Sequence, residues 1–406
     1  MHLNKFYIML SAIILFGFGC GRIETESEIN EYSICLGEFV KYEDADLFKS
    51  KLDFELWDKL KVKTTEEKYF LIYGNYITSF EAGKKALELF NKKLINNYKI
   101  LHNEKYVFDE FSNVLYIGRY QGRPSVYIYN MVTKQSKLFW SRWGRKVVTL
   151  NHSRDRSYAF FVTALGFGKQ GSFPYIRDVR VYRFTSLTEQ IEELDELQDG
   201  LQVYTYWDVK DTFKVNITKT DSIKADLLIQ KIYSYQYQGK SEEVNQRFFS
   251  ITKDGFPKPP DIQPKLISNN NYKVIRTAKL DADSYVYLKE LKEGSESLIC
   301  NFTGTLYNAV WSNDDRYLFL IIRNKPVSRN GSSNEQELMI IDTEQKKLLV
   351  TFHGNFFQNI LVNGNFLFYE TISNGEAVIP VYDIVNDDIY DVIKMPGGCG
   401  INNLNK

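Results

Sequence analysis

Phe139 to Lys146 brings two indoles, Trp140 and Trp143, together with the cations Arg142, Arg145 and Lys146. Aromatic faces beside cations hold anionic groups by stacking and charge. Trp140, Arg142, Trp143 and Arg145 are therefore the candidate ligand contacts, for an anionic glycan or phosphate. The same residues equally suit indoles packed between elements with solvated arginines. Gly166-Phe167-Gly168-Lys169-Gln170-Gly171 matches the dinucleotide fingerprint G-x-G-x-x-G, which needs a helix after it to hold pyrophosphate. Here Ser172-Phe173-Pro174 and an extended stretch follow, so a flexible inter-strand loop is expected. The acids Asp281/Asp283, Asp314/Asp315 and Asp387/Asp388 sit at turns without calcium-loop spacing, and turn capping accounts for them. His2, His102, His152 and His353 are too scattered for a zinc set, and no G-x-S-x-G or H-E-x-x-H occurs. No catalytic residue, metal ligand or cofactor site is assigned from these patterns. A site in a central channel is the reading that motifs leave open.

The N-terminus has chemistry of its own. His2 to Lys5 is short and polar, and Phe6 to Phe16 is an apolar run too short to span a bilayer but suited to a signal peptide. It ends in Gly17-Phe18-Gly19-Cys20. This resembles a lipobox, where signal peptidase II cleaves after a diacylglycerol is attached to the cysteine. Gly17 stands where that family usually has Leu or Val, so an ordinary secretory signal is the alternative. The resemblance implies lipidation at Cys20, export and a membrane anchor, in the outer membrane of a Gram-negative host. Residues 21 to 30 are polar and acidic, as expected of a tether. Cys35, Cys300 and Cys399 remain. Cys35 and Cys399 flank the folded body and are a candidate disulfide, against three free thiols as the alternative, and Cys300 reads as a small buried hydrophobe.

The elements that position these residues fall in two zones. In residues 43 to 101, a charged helix-friendly stretch precedes the strand Tyr69 to Tyr76. Thr78 and Glu81 form a capping box, and Ala82, Ala86, Phe90 and Leu94 mark a helix face ending near Asn96. A short apolar piece, Tyr98 to Leu101, follows. This strand–helix–strand unit resembles half of a SPOR-type domain, which implies a peptidoglycan contact; a small α/β cap is the simpler reading.

From 102 to 395 an alternating strand, a polar turn and a second strand recur. The copies begin at Val126, Val181, Tyr285, Leu338 and Val381, and the strand Ile229 to Tyr237 fills the one double gap. The period of about 41 to 55 residues is that of propeller blades. A second repeat lies upstream of two copies, Trp311-Ser312-Asn313-Asp314 to Tyr317 and His152-Ser153-Arg154-Asp155 to Tyr158. It resembles the Trp-Ser-Pro-Asp-Gly hairpin of TolB-like and WD-type propellers, without the Pro and Gly. Val362-Asn363-Gly364-Asn365-Phe366 takes its place near the C-terminus, with Asn-Gly as the turn. A sandwich would explain alternation but not near-constant spacing, and radial closure protects strand edges.

The expected organisation is a signal peptide (1–19), lipidated cysteine and tether (20–42), α/β segment (43–101), mainly β propeller of about six four-stranded blades (102–395) and a tail (396–406). Lys plus Arg equals Asp plus Glu at 51 each, so nucleic-acid binding has no global electrostatic support. The expected function is a membrane-anchored scaffold for an unidentified protein partner; the alternative is a glycan or small-molecule binder or hydrolase with its site at the channel.

Overall fold

The computed structural model describes residues 31–65, 67–107, 111–153, 158–170, 173–185, 190–208, 212–221, 224, 226–236, 239–240, 245–251, 266–281, 283–312, 314–323, 335–354 and 360–394. Cys20, Cys399 and the signal segment lie outside these.

Tyr32–Phe39 is the central strand of an antiparallel five-stranded sheet. Tyr69–Tyr76 and then Leu60–Thr64 lie to one side of it, Lys99–His102 and then Lys105–Val107 to the other. Helix α1 (Tyr42–Ser50), a 3-10 turn (Phe54–Lys59) and helix α2 (Ser79–Asn91) accompany it. Helix α2 starts where expected, because the Thr78 hydroxyl accepts from the Glu81 N–H at 3.2 Å. It stops at Asn91, earlier than its apolar pattern, and Lys93 turns the chain at φ +58°. Tyr32–Phe39 lies within the stretch read as tether. Its residues Tyr32, Ile34 and Leu36 share the core face with Leu71, Tyr73, Ala82, Ala86 and Ile100. That burial makes the segment the middle of the sheet.

Six further antiparallel sheets follow in chain order. Blade I is Asn113–Tyr120, Arg123–Asn130 and Gln135–Trp140; blade II is Lys146–His152, Tyr158–Ala164, Phe173–Thr185 and Gln190–Gly200. Blade III is Gln202–Trp207, Phe213–Thr220, Leu227–Gln236 and Asn245–Ser250; blade IV is Lys273–Leu280, Asp283–Glu290 and Glu296–Thr303. Blade V is Thr305–Trp311, Tyr317–Arg323, Gln336–Asp342 and Lys347–Gly354; blade VI is Ile360–Asn363, Phe366–Tyr369, Glu376–Asp383 and Asp388–Lys394. Blades I and IV thus show three strands among the described residues. In blade IV a single bridge, Ile267 to Val274, stands in the fourth place. Gly166–Gln170, expected as a loop, is a strand paired to Phe173 through Arg177.

Five of the blade-to-blade seams bury shared apolar faces. Ile117 and Val126 of blade I meet Leu150 and Phe161 of blade II. Phe160 and Val162 of blade II meet Phe213 and Ile217 of blade III. Blades IV and V share Ile275, Leu288, Trp311 and Leu320; blades V and VI share Phe319, Ile340, Leu367 and Tyr382. The ring closes where Val114 and Tyr129 of blade I meet Phe368, Val381 and Ile393 of blade VI. The Tyr129 hydroxyl donates to Asp391 at 2.6 Å, and the Tyr390 hydroxyl to the Met131 carbonyl at 2.8 Å. This is a β-propeller of six blades.

The repeated Ser hairpin has a common mechanism. Tyr158 N–H donates to Ser153 Oγ at 3.1 Å in blade II, and Tyr317 N–H to Ser312 Oγ at 2.8 Å in blade V. The serine closes the turn, and in blade V Asp314 supports it by accepting from Ser312 Oγ at 2.6 Å.

Candidate functional site

In an antiparallel meander successive turns alternate between the two ends of the strands. Turns 131–134, 312–316, 363–365 and 384–387 therefore share one face of the ring, and connections 121–122, 141–145, 200–201 and 374–375 share the other. Helix α2 lies on the first face: Leu87 joins the closing core, Phe90 meets Tyr390 edge-on at 6.5 Å, and a Cβ on Gly364 would come within 2.7 Å of Leu87. The cap covers that face at the blade I–VI seam. The second face carries the Trp and Arg cluster.

Four predicted contacts separate into different environments. Trp140 is half-buried between blades, edge-on to Phe161 at 5.0 Å and tilted against Tyr182 at 5.3 Å. Arg145 is buried, with its side chain 4% exposed. It donates from Nε to Thr163 Oγ1 at 2.9 Å and from Nη1 to Asp178 Oδ2 at 2.7 Å, and Nη2 reaches the Asp178 carbonyl. Arg142 donates to the Tyr182 hydroxyl at 3.0 Å and to Glu193 at 3.1 Å. Trp143 alone projects freely, 87% exposed.

Trp143 is not isolated. The Arg123 guanidinium lies over its ring at 5.6 Å. Gly144 turns the chain at φ +77°, where an added Cβ would come within 3.4 Å of Leu165, while the Lys146 ammonium lies 5.5 Å from the Phe167 ring. Leu165 and Phe167 are exposed. The result is an apolar patch of Trp143, Leu165 and Phe167 bordered by Arg123 and Lys146. Sequence reading missed Arg123, Leu165 and Phe167. Phe167 lay in the stretch read as a flexible inter-strand loop, and its alternation with small residues was the available signal.

Beside the patch runs a charge network on blade II. A bulged register between its third and fourth strands puts Asp178 at φ +49° and Gln198 at φ +64°. Asp178 accepts from Arg145 and, at 2.9 Å, from Arg180; Arg180 also donates to Glu193 at 2.6 Å. Burial pushes the Asp178 carboxyl upward, but hydrogen bonds from Arg180 and Arg145 outweigh it and hold the group below its ordinary range. For Glu193, burial is likewise outweighed by hydrogen bonds from Tyr182, Arg180 and Arg142. Asp199 is lowered by the Tyr175 hydroxyl and the Asp178 N–H. Next to it lies a polar cavity of about 520 Å³ lined by Tyr175, Asp199, Gly200 and Lys219. Burial, then the nearby Lys231, lowers the Lys219 ammonium, which donates to the Leu197 carbonyl at 2.8 Å.

These carboxylates are ionised and paired, so they can fix geometry and hold cations. None is raised toward the value a general acid needs. Among the described residues no three His, Cys, Asp or Glu side chains cluster to hold a metal ion. Cys35 is buried in the cap sheet with Phe70, Ile72 and Leu101, and burial pushes its thiol upward. Cys300 is a half-buried free thiol raised to about 11 by burial. No described helix is long and apolar enough to cross a membrane.

These features define a six-bladed propeller with an α/β cap on one face and an aromatic-cationic patch on the other. No family model matches the chain, and no curated protein matches it in sequence. Solved structures similar to it include TolB from Acinetobacter baumannii, at 14% identity and a TM-score of 0.36, over 70% of this chain and 66% of that one. The chain thus spans just under two thirds of that TolB. A nidogen/laminin complex is similar at 7% identity and a TM-score of 0.36, over 70% and 92% of the two chains. An oligogalacturonate lyase in complex with manganese is similar at 10% identity and a TM-score of 0.31, over 71% and 76%. Likenesses this distant carry nothing about function.

Proposed function

We propose that this chain is a non-enzymatic, membrane-tethered propeller that binds a protein partner in the bacterial envelope, lipid-anchored through Cys20. The observation that carries the reading is the exposed patch of Trp143, Leu165 and Phe167 with Arg123 and Lys146 at its border. Trp and Arg dominate the energetics of protein interfaces, and an apolar centre with a cationic rim fits a segment that is apolar and acidic. Paired, ionised carboxylates beside it favour recognition over hydrolysis. The polar cavity between Tyr175 and Lys219 favours a second reading, in which a small polar molecule or glycan binds the same face.

The test is a crosslinked pull-down of tagged full-length protein from native membranes, with Trp143→Ala/Phe167→Ala and Cys20→Ser forms alongside. A stoichiometric partner lost in the patch variant supports the reading. Retention of that partner by the patch variant overturns the assignment of the patch. Loss on Cys20→Ser alone assigns the requirement to the anchor. A clean preparation without any partner favours the small-molecule reading, which glycan arrays then address.

A further inference from the structure

The cap has an apolar edge at the end where the chain enters it. Its central strand starts at Tyr32, paired with Tyr76 on one side and His102 on the other. Tyr76 closes its own strand, and Ile77 follows it. The strand Leu60–Thr64 begins opposite Tyr73, so the 3-10 turn Phe54–Lys59 feeds the sheet from the same end. Phe54 is 81% and Ile77 82% exposed, Trp57 is exposed too, and the Phe54 and Trp57 rings meet at 5.8 Å.

These exposures have no local explanation. A residue before an N-cap commonly packs on the fourth residue of its helix. Here that residue, Ala82, is buried in the cap core while Ile77 stays in solvent. The turn is also prepared for an apolar medium. Trp57 Nε1 donates to the Leu52 carbonyl at 3.2 Å, the Glu55 N–H to Asp53 at 3.0 Å, and the Leu56 N–H to the Asp53 carbonyl at 3.1 Å. A ring whose donor is already paired leaves no hydrogen bond unmade when it is desolvated. Trp and Phe with satisfied backbone suit the interfacial layer of a membrane.

The tether brings a bilayer within reach of this edge. Eleven residues lead from Cys20 to Glu31, at most about 36 to 40 Å when fully extended. A lipid on Cys20 therefore keeps the membrane surface beside Tyr32, at an effective concentration on the order of mM, where weak contacts engage. Lys51 and Lys59 are outnumbered by Asp53, Glu55 and Asp58, so anionic headgroups do not attract the turn and the contact is apolar. We infer that the edge of Phe54, Trp57 and Ile77 docks on the bilayer that holds the tether, with its rings among zwitterionic headgroups. This docking rests on the lipid-anchored reading of Cys20. It involves the cap alone and leaves the Trp143 patch, on the other face of the ring, to the partner.

The test replaces the lipid, so that docking and anchoring fail separately. A hexahistidine tag takes the place of residues 1–20, and a nickel-chelating lipid holds the chain on phosphatidylcholine vesicles. Bromine on the acyl chains near the headgroups quenches any tryptophan that docks there. Brominated vesicles should lower the emission of the tagged chain. That quenching should vanish in Trp57→Phe and persist in Trp143→Phe, the control for the exposed indole on the other face. Phe54→Ser/Ile77→Ser should shift the docked-to-free ratio about ten-fold toward free. Circular dichroism establishes that each variant is folded. Absence of quenching overturns the docking and assigns the edge to a protein surface. Quenching that survives Trp57→Phe, or is lost in Trp143→Phe, overturns it by placing another surface on the membrane. Acylation is read apart, as uptake of an alkyne fatty acid by the wild type and not by Cys20→Ser. Acylation without quenching overturns the docking alone; no acylation overturns the anchor, whatever the vesicles show.

Discussion

Arg145 and Trp143 stand two residues apart and have opposite physical roles. Arg145 is a buried cation whose guanidinium is spent on Thr163 and Asp178. Removing one partner of a buried pair strands the other, so Arg145→Ala should destabilise the protein by about 3 to 5 kcal/mol in urea unfolding. Trp143→Ala, at an 87% exposed position, should shift stability by less than about 0.5 kcal/mol while weakening partner capture. The pH dependence has a definite sign. A carboxylate held below its unfolded value stabilises the fold above the ordinary carboxylate range, and the contribution is lost as pH falls through the lowered value. Asp178, Glu193 and Asp199 are all so held. Unfolding free energy should therefore be flat near neutrality and decline below about pH 4, and Asp178→Asn should make the decline shallower. An unchanged acid limb in that variant would rule out Asp178 as a contributor. The sequence displayed this cluster as two Trp and three cations but could not sort it. Which arginine is buried depends on Asp178, thirty-three residues on in the chain, and on a bulge that no local pattern announces.

At the scale of elements, helix α2 joins cap to ring, and its two ends differ in how they are held. Thr78 satisfies one orphan N–H at the start, so Thr78→Ala should cost about 1 kcal/mol. Gly364, in the facing hairpin, is at φ +58°, where a side chain is strained, and its Cβ would meet Leu87 at 2.7 Å. Gly364→Ala combines that strain with a clash in a packed seam and should exceed the Thr78→Ala cost, as read by paired denaturation curves. If the two variants unfold alike, the hairpin yields and the cap is not pressed on the ring. The strand–helix–strand of the cap and at least one strand in each of the six blades were legible, because period-two and helical periodicities leave strong marks. The strand Tyr32–Phe39 was not, since its acidic approach reads as linker and its own alternation is broken by Cys35 and a bulge. Blade IV was the loosest copy in sequence and, like blade I, shows three strands among the described residues.

The whole molecule depends on closure. In an open array each repeat is supported by its neighbours alone, and unfolding can start at either end. Here the first and last blades support each other through Tyr129 and Asp391, Tyr390 and Met131, and the Lys134 ammonium 3.8 Å from the Tyr390 ring. Leu87 of the cap enters the same apolar cluster, so cap and seam reinforce one another. Ile393, 5% exposed in that cluster, is the most C-terminal of the described residues in this support. Ile393→Ala should cost about 2 to 5 kcal/mol through lost burial and a cavity. Closure predicts more than a magnitude. Trp140, Trp207 and Trp311 report from blades I, III and V. In single-tryptophan forms all three should lose native fluorescence at one urea midpoint, and Ile393→Ala should lower all three together. Were the substitution to shift Trp140 and leave Trp207 and Trp311 in place, the blades would be behaving as a chain of neighbours, and the seam between blades I and VI would be a contact without being a clasp.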